Sequence, residues 1–381
     1  MMGTRKALFL LLCSILIANV AKSQQQFEFD GQAQSWINYS SGNDLNIGMG
    51  LRYIPEFNYN IPLENDRLID FKAAPNMVAS LNFHPFDTAQ TDADISPYRA
   101  WARYSSNQLE LRLGLQKISF GSASVLRPLM WFDQIDPRDP LQLTNGVWGA
   151  LGRYYFLNNA NIWLWVLYGN EDVKGWERIR TYEQQPEFGG RIQHPVPRGE
   201  LAISYHHRTA DSRGLGAETL EYAKIPEDRI GLDGKWDITI GVWFEGSWTH
   251  KGKDVGIFTN QTLLNAGIDY TFGVGNGLNV VAEQLVTSYD QQAFAFSNTS
   301  TLTGTSISYP TGLFDNLSAV FYYDWTNSNL YSTINWQRDY NKFTVYVMAF
   351  SNPVSGQSIQ QNDLVNPLAG RGLQIMLVYN H

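Results

Sequence analysis

The sequence predicts an all-β protein, a closed antiparallel transmembrane β-barrel of about 16–18 strands. Three observations lead to this fold class. Apolar and polar residues alternate along most of the chain, and short and long connections alternate between the predicted strands. The composition includes 12 Trp, 20 Tyr, 20 Phe and 32 Gly, with only 17% charged residues. This profile is typical of a barrel with aromatic belts at the membrane interfaces.

Alternation with a two-residue period marks a strand whose two faces meet different surroundings. In 109–116, leucines at every second position share one face, and Glu110, Arg112 and Gln116 share the other. The same alternation runs through 236–245, 317–325 and 373–380. Traced along the chain, the pattern predicts about eighteen strands, near 27–39, 46–59, 67–84, 97–105, 108–119, 148–157, 160–169, 186–194, 198–207, 228–232, 236–250, 261–272, 278–287, 300–309, 317–326, 329–338, 342–350 and 371–381.

The predicted connections fall into two length classes, as in barrels with tight periplasmic turns and long outer loops. Short turns are predicted at 105–107, 158–159, 195–197, 233–234, 273–277, 310–316 and 339–341. Long loops are predicted at 120–147, 170–185, 209–227, 290–299 and 351–370. The glycines of 273–277 superficially resemble a dinucleotide fingerprint, but they join two strands with no helix to receive a phosphate, so we interpret them as a turn.

The apolar side of so many two-faced strands exceeds what one soluble core could cover, so we expect lipid to cover it. Closure of the sheet would leave no unpaired edge in hydrocarbon. The polar side would then face inward. A barrel of this size is wide enough for a water-filled lumen.

The first 23 residues are predicted to be a cleaved secretory signal peptide, which leaves 24–381 as the barrel. Arg5 and Lys6 precede the apolar run 7–20, and 21–23 provides small residues at a cleavage site. An uncleaved anchor is the alternative, although a membrane helix needs about 20 apolar residues. The only cysteine, Cys13, lies in this segment, so the mature chain would contain neither a disulfide nor a thiolate metal site.

The formal net charge is -8, and removal of the leader makes it more negative. An acidic chain argues against nucleic acid as a partner. The acidic residues are spread along the chain and do not form a tail.

The segment 109–123, LELRLGLQKISFGSA, continues into 126–140, LRPLMWFDQIDPRDP. This sequence resembles the strand and following loop of Gram-negative outer-membrane porins. The resemblance implies a porin-like barrel without identifying a solute. The chain departs from the family at its end, which is His381 and not Phe. It also lacks the lysine-rich loop and the dense arginine ladder of phosphate-selective porins.

A pore constriction is the candidate functional site. Three arginines, Arg99, Arg103 and Arg112, alternate with apolar residues on the polar face of two adjacent predicted strands, and Arg153 could join them. The acids and Trp131 lie in the loop 120–147, which the resemblance implies is folded inward. Acids facing a basic wall would produce a transverse field that orients solutes and selects ions. The candidate residues are Arg99, Arg103, Arg112, Arg153, Trp131, Asp133, Asp136 and Asp139. Alternatively, the arginines pair with Glu110 and neighbouring acids as barrel filling, and the loop only caps the mouth.

Three other groups of residues could each have a functional role or only a structural one. The three loop aspartates could bind Ca²⁺, although Pro137, Pro140 and the intervening Arg138 make a compact cage doubtful. Ser204 and His206 share a strand face, which raises the possibility of a hydrolase dyad. The strand tryptophans are expected on outward faces or at strand ends as interface anchors, with Trp243 as the inward exception; stacking of sugars in the pore is the alternative. They are Trp163, Trp165, Trp236, Trp243, Trp325 and Trp336.

The sequence therefore predicts a porin of the bacterial outer membrane, exported by its signal peptide, that allows passive diffusion of small hydrophilic solutes. No catalysis, cofactor or metal is expected. The expected partners are the lipid bilayer and small polar solutes or ions, and a homotrimer is possible. The alternatives are a lipid-hydrolysing barrel enzyme, a non-conducting structural or adhesive barrel, and a secreted soluble β-protein.

Overall fold

Antiparallel strands that pair in chain order make up most of the protein. The structure, a computed structural model, describes residues 26–42, 45–213, 221–353 and 368–381. The predicted signal peptide and parts of the long loops 209–227 and 351–370 lie outside these residues. No helix in the described part of the chain is long and apolar enough to span a membrane.

The described residues contain nineteen strands and one short 3-10 helix, Gly256–Thr259. The strands are β1 (Gln26–Ser40), β2 (Ile47–Leu63), β3 (Arg67–Phe83), β4 (Ala89–Ser105), β5 (Leu109–Gln116), β6 (Val147–Tyr155), β7 (Asn161–Leu167), β8 (Arg180–Thr181), β9 (Glu187–Val196), β10 (Gly199–Asp211), β11 (Ile225–Asp237), β12 (Gly241–Lys251), β13 (Asn260–Phe272), β14 (Leu278–Asp290), β15 (Thr299–Pro310), β16 (Asp315–Asp324), β17 (Asn329–Asp339), β18 (Phe343–Ser351) and β19 (Arg371–Asn380).

The sheet closes on itself because β1 pairs with both β2 and β19. At this seam Gln34 lies opposite Val378, and Trp36 lies opposite Met376. The two-residue strand β8 pairs only with the end of β10, and β7 pairs directly with β9. Eighteen long strands therefore form a closed antiparallel barrel, which confirms the predicted fold and strand number.

The two faces of the wall differ as the alternation predicts. On β19, Leu373, Ile375 and Leu377 are exposed on the outer side. Gln374 and Met376, between them, are buried on the inner side. The same contrast recurs around the ring, so an apolar band surrounds the barrel and polar side chains line its interior. Lipid is the phase that suits such a band.

The long connections lie at one end of the barrel, and the connections at the other end are all short. The β4–β5, β6–β7 and β17–β18 turns span only a few residues. At the opposite end, β5 and β6 are joined by the longest connection that the structure describes in full, 117–146. This long segment contains most of the sequence that carries the resemblance to porins, 109–123 and 126–140.

The predicted turn at Asp233-Gly234 is wrong. Both residues lie within β11, and the chain reverses at 238–240. Asp233 points inward and accepts hydrogen bonds from both terminal nitrogens of Arg191, at 2.5 and 2.9 Å. Gly234 faces outward, where a Cβ atom would lie 2.6 Å from Leu201. An Asp-Gly pair favours a turn, but here a long-range ion pair and close packing on a strand use the same two residues.

The outward placement of Trp163 and Trp165 is also wrong. Trp165 is buried in the lumen, where its indole N–H donates to His206 Nδ1 at 3.2 Å. Trp163 faces inward beneath the guanidinium of Arg153, 3.8 Å from the ring centroid. Parity decides the face of a strand residue, and both indoles share the inward parity of Asn161. Trp243, expected inward, is buried inside.

A charge on the outer face should destabilise the barrel, whereas the same charge on the inner face should not. Ile334, at the centre of β17, is 47% exposed toward the outside. We predict that Ile334→Lys lowers the free energy of unfolding by about 2–4 kcal/mol, because lysine is costly near the bilayer midplane. Ser306→Lys, which faces the lumen, is the control. Denaturant titration in lipid vesicles measures both, and equal values would show that lipid does not cover the apolar side.

Candidate functional site

The connection between β5 and β6, residues 117–146 and here called the inserted loop, lies inside the barrel. Its apolar side chains are among the most buried in the molecule, including Leu126, Leu129 and Met130. Leu126 and Met130 belong to a cluster with Leu263 and Leu285 on the far wall. The loop therefore crosses the lumen and packs against strands remote from the two that it connects.

Two glutamates of the far wall hold the inserted loop through its backbone. Glu283 on β14 accepts hydrogen bonds from the N–H groups of Ser124, Val125 and Leu126, at 2.7, 3.1 and 2.5 Å. Glu245 on β12 accepts from the N–H groups of 123 and 129, at 2.9 and 2.5 Å. Hydrogen bonds to ionised acceptors are stronger than neutral ones. The wall thus carries a preformed seat for the loop.

Inward-facing glycines complete this seat. At Gly231 on β11, a Cβ atom would lie 2.4 Å from Leu129 Cδ2 and 3.1 Å from the ring of Trp131. At Gly304 on β15, a Cβ atom would lie 2.9–3.0 Å from Val125 and Leu126. Only glycine leaves room for such close approach of loop side chains to the strand. Trp131 is fixed further by a hydrogen bond from its indole N–H to Ser247 Oγ, at 3.0 Å.

The loop aspartates use partners within the loop itself. Asp133 pairs with Arg127 at 3.1 Å, and Asp136 pairs with Arg138 at 2.6 Å. Burial alone would lower the pKa of the Arg127 guanidinium, but the charge of Asp133 raises it above its ordinary value. Asp139 accepts hydrogen bonds from the N–H groups of 141 and 143, both at 3.0 Å, and its burial raises the pKa of its carboxyl.

Three of the four candidate arginines converge on one carboxylate. Arg112 and Arg153 lie 3.0 and 3.4 Å from Glu110 Oε1, and Arg103 lies 3.7 Å from Glu110 Oε2. Arg103 also forms an ion pair with Asp70 at 2.9 Å. Arg103 and Arg112 lie 5.4 and 4.9 Å from the ring centroid of Trp101. This group, here called the arginine cluster, lies on the inner face of β4–β6 near the short turns.

Arg99 lies apart from the arginine cluster. Its guanidinium packs over the ring of Tyr98 at 3.9 Å and donates to the carbonyl of Thr144 at 3.0 Å. The residues predicted to form one constriction are therefore distributed over three places. They are the cluster around Glu110, the base of the inserted loop at Arg99, and the loop with its internal ion pairs. The assignment of a constriction stays a prediction.

Sequence reasoning missed the most closely bonded residues of the site. Glu245 and Glu283 lie on the polar parity of predicted strands, so alternation does place them in the lumen. Their partners are loop amides more than 110 residues away along the chain. Arg127 was missed as well, although its guanidinium pairs with Asp133 and lies within range of the charges of Glu245 and Glu283. No local pattern indicates these pairings.

The hydrolase alternative can be compared with the contacts of its two candidate residues. His206 is hydrogen-bonded through one ring nitrogen to Glu187 and through the other to Trp165, both at 3.2 Å. The Ser204 hydroxyl accepts from Arg191 at 3.1 Å. Ser204 and His206 are therefore hydrogen-bonded to different residues. The described residues contain no group of three His, Cys, Asp or Glu side chains placed to hold a metal ion.

A closed barrel of eighteen strands with an apolar exterior, a polar lumen and a loop folded inward is the fold that the sequence predicts. Among solved structures, the chain is similar to OccAB2 of Acinetobacter baumannii, with 9% identity, coverage of 93% of this chain and 98% of that chain, and a TM-score of 0.57. It is also similar to OccAB4 of the same species, with 10% identity, 94% and 98% coverage, and a TM-score of 0.55.

A third similar structure is OccK5 (OpdH) of Pseudomonas aeruginosa, with 10% identity, 93% and 98% coverage, and a TM-score of 0.54. At such identities the likeness shows the fold. No family model and no curated protein matches the sequence.

A larger side chain at Gly231 tests how closely the inserted loop packs against the wall. We predict that Gly231→Leu displaces the inserted loop and lowers the free energy of unfolding by about 1–3 kcal/mol, since overpacking a tight site is costly. Gly246→Leu on the adjacent strand is the matched control, because a Cβ atom there meets nothing closer than 3.4 Å. Denaturant unfolding followed by tryptophan fluorescence measures both. Equal stabilities would exclude close packing of the loop against β11.

Proposed function

We propose that this protein is an outer-membrane porin through which small hydrophilic solutes diffuse passively. The observation that carries this proposal is the closed wall with an apolar outside and a charged inside, since such a wall separates lipid from a polar lumen. The fold shared with OccAB2, OccAB4 and OccK5 supports it. An outer-membrane location and export through residues 1–23 belong to the same proposal. A homotrimer is only a possible assembly, and no feature of the sequence establishes it.

The inserted loop is proposed to narrow this lumen, and the arginine cluster is proposed to be the charged surface that solutes meet. Among the residues that the structure describes, the guanidinium groups of Arg103, Arg112 and Arg153 form ion pairs with Glu110 and Asp70, so three positive charges meet two negative ones. The side chains of the three arginines keep 29%, 14% and 15% of their surface exposed. In a confined lumen a fixed charge biases which ions enter.

The geometry favours a positively biased surface over the two-sided field that the sequence suggested. The loop acids Asp133 and Asp136 are neutralised by Arg127 and Arg138 within the loop. They therefore offer little free negative charge opposite the arginine cluster. In the hydrolase alternative, Ser204 would have to bond to His206, but its hydroxyl accepts a hydrogen bond from Arg191.

The proposal predicts ion conductance by the purified protein. In a planar bilayer, it should insert in discrete conductance steps, and a salt gradient should give a reversal potential that indicates preference for anions. Heat-denatured protein is the control. A folded, inserted barrel that conducts no ions would favour the non-conducting structural alternative and overturn the proposed function.

The arginine cluster predicts a specific change in selectivity. Arg112→Glu reverses one charge beside Glu110 and should shift the reversal potential toward cations, with a several-fold change in the permeability ratio. Arg67→Glu makes the same charge change at an exposed position at the start of β3 and serves as the matched control. If both variants keep the selectivity of the parent, the arginine cluster does not lie along the ion path.

A further inference from the structure

A second long connection also enters the barrel. Residues 168–179, here called the second loop, join β7 to β8, and within them Lys174 and Trp176 are buried. Trp176 packs in the same apolar cluster as Leu126 and Met130 of the inserted loop. The second loop therefore does not simply cap the mouth of the barrel, and it is in contact with the inserted loop.

In the contact between the two loops, side-chain donors bond to backbone carbonyls. Trp176 donates its indole N–H to the carbonyl of Arg127 at 2.9 Å, and Gln134 donates its amide to the carbonyl of Val173 at 2.6 Å. Gly175 has a φ of 46°. A Cβ atom there would lie 2.2 Å from the carbonyl oxygen of Met130. Glycine is needed at such a positive φ and close approach.

An ion-pair network fixes the second loop to the wall. Arg208, Arg229 and Lys251 on β10–β12 surround Glu227, at 2.6, 2.7 and 3.4 Å, and all four side chains are buried. Three buried cations against one carboxylate leave positive charge unbalanced. Glu177 of the second loop adds a second negative charge to this network, 3.1 Å from Arg208 and 2.6 Å from Arg229.

We propose that Glu177 is a positioning residue that latches the second loop across the lumen and so sets the size limit for solutes. This inference rests on the proposed function and adds to it a second narrowing above the inserted loop. Removal of one partner from a buried ionic network leaves the remaining charges uncompensated, which disfavours the latched arrangement. The second loop would then move away from β10–β12, while the hydrogen bonds between the strands keep the barrel closed.

Size selectivity tests the latch. In liposome swelling with neutral sugars, Glu177→Gln should raise the rate for a trisaccharide several-fold relative to that for a pentose. Glu171→Gln removes the same charge from an exposed position on the same loop and should change neither rate. Glu177→Asp keeps the charge on a shorter side chain and should give an intermediate rate. Heat-modifiable gel mobility verifies that each barrel is folded.

A thiol provides a second readout that does not depend on conductance. Lys174→Cys places a cysteine at a buried position of the second loop, and a membrane-impermeant maleimide should label it slowly. Labelling should be at least several-fold faster when Glu177→Gln is also present. If the parent passes pentose but Glu177→Gln matches Glu171→Gln in both swelling and labelling, the latch is excluded. If the parent passes no sugar, the proposed function fails, and the labelling rates alone decide the latch.

Discussion

Closure of the backbone hydrogen-bond ladder is the constraint on which this structure depends. Hydrocarbon offers no partner for a free N–H or C=O group, so a membrane-spanning sheet must have no open edge. The pairing of β1 with β19 satisfies this requirement over nine residue pairs, from Gln32 with Asn380 to Ser40 with Gly372. Once the ring is closed, each strand has one side toward lipid and one toward the lumen, and the alternation in the sequence follows from that division.

The interior is governed by a second requirement, which is that buried charges must be paired. Glu245 and Glu283 are almost fully buried, yet loop N–H groups surround both carboxylates. The loop acids Asp133 and Asp136 are compensated by arginines of the same loop. The inserted loop and the wall therefore complete each other, because neither could bury these charged groups alone. The inserted loop therefore helps to compensate the buried charges of the barrel wall.

The sequence predicts what repeats locally and misses what is paired over long distances. The strand number and most of the face assignments follow from a period of two, and the structure confirms the closed barrel of eighteen strands. Asp233-Gly234 was misread because its partner, Arg191, is 42 residues away. Alternation correctly places Arg103 and Arg112 on the inner face of the barrel. The sequence offers their common partner, Glu110, only as an alternative to a constriction. No pattern in the sequence indicates that Glu177 pairs with Arg208 and Arg229 of the wall.

The two halves of the lumen wall differ in how much of their charge remains accessible. On β12 and β14 the loop covers the carboxylates, and Glu245 and Glu283 are only 1% and 2% exposed. On β4–β6 the arginine cluster keeps several times that fraction in contact with the lumen. Charge that is already bonded and covered cannot act on a passing solute, whereas a solvated guanidinium can. A solute that crosses the proposed pore would therefore interact with the side of the arginine cluster, and the opposite side would serve to hold the loops in place.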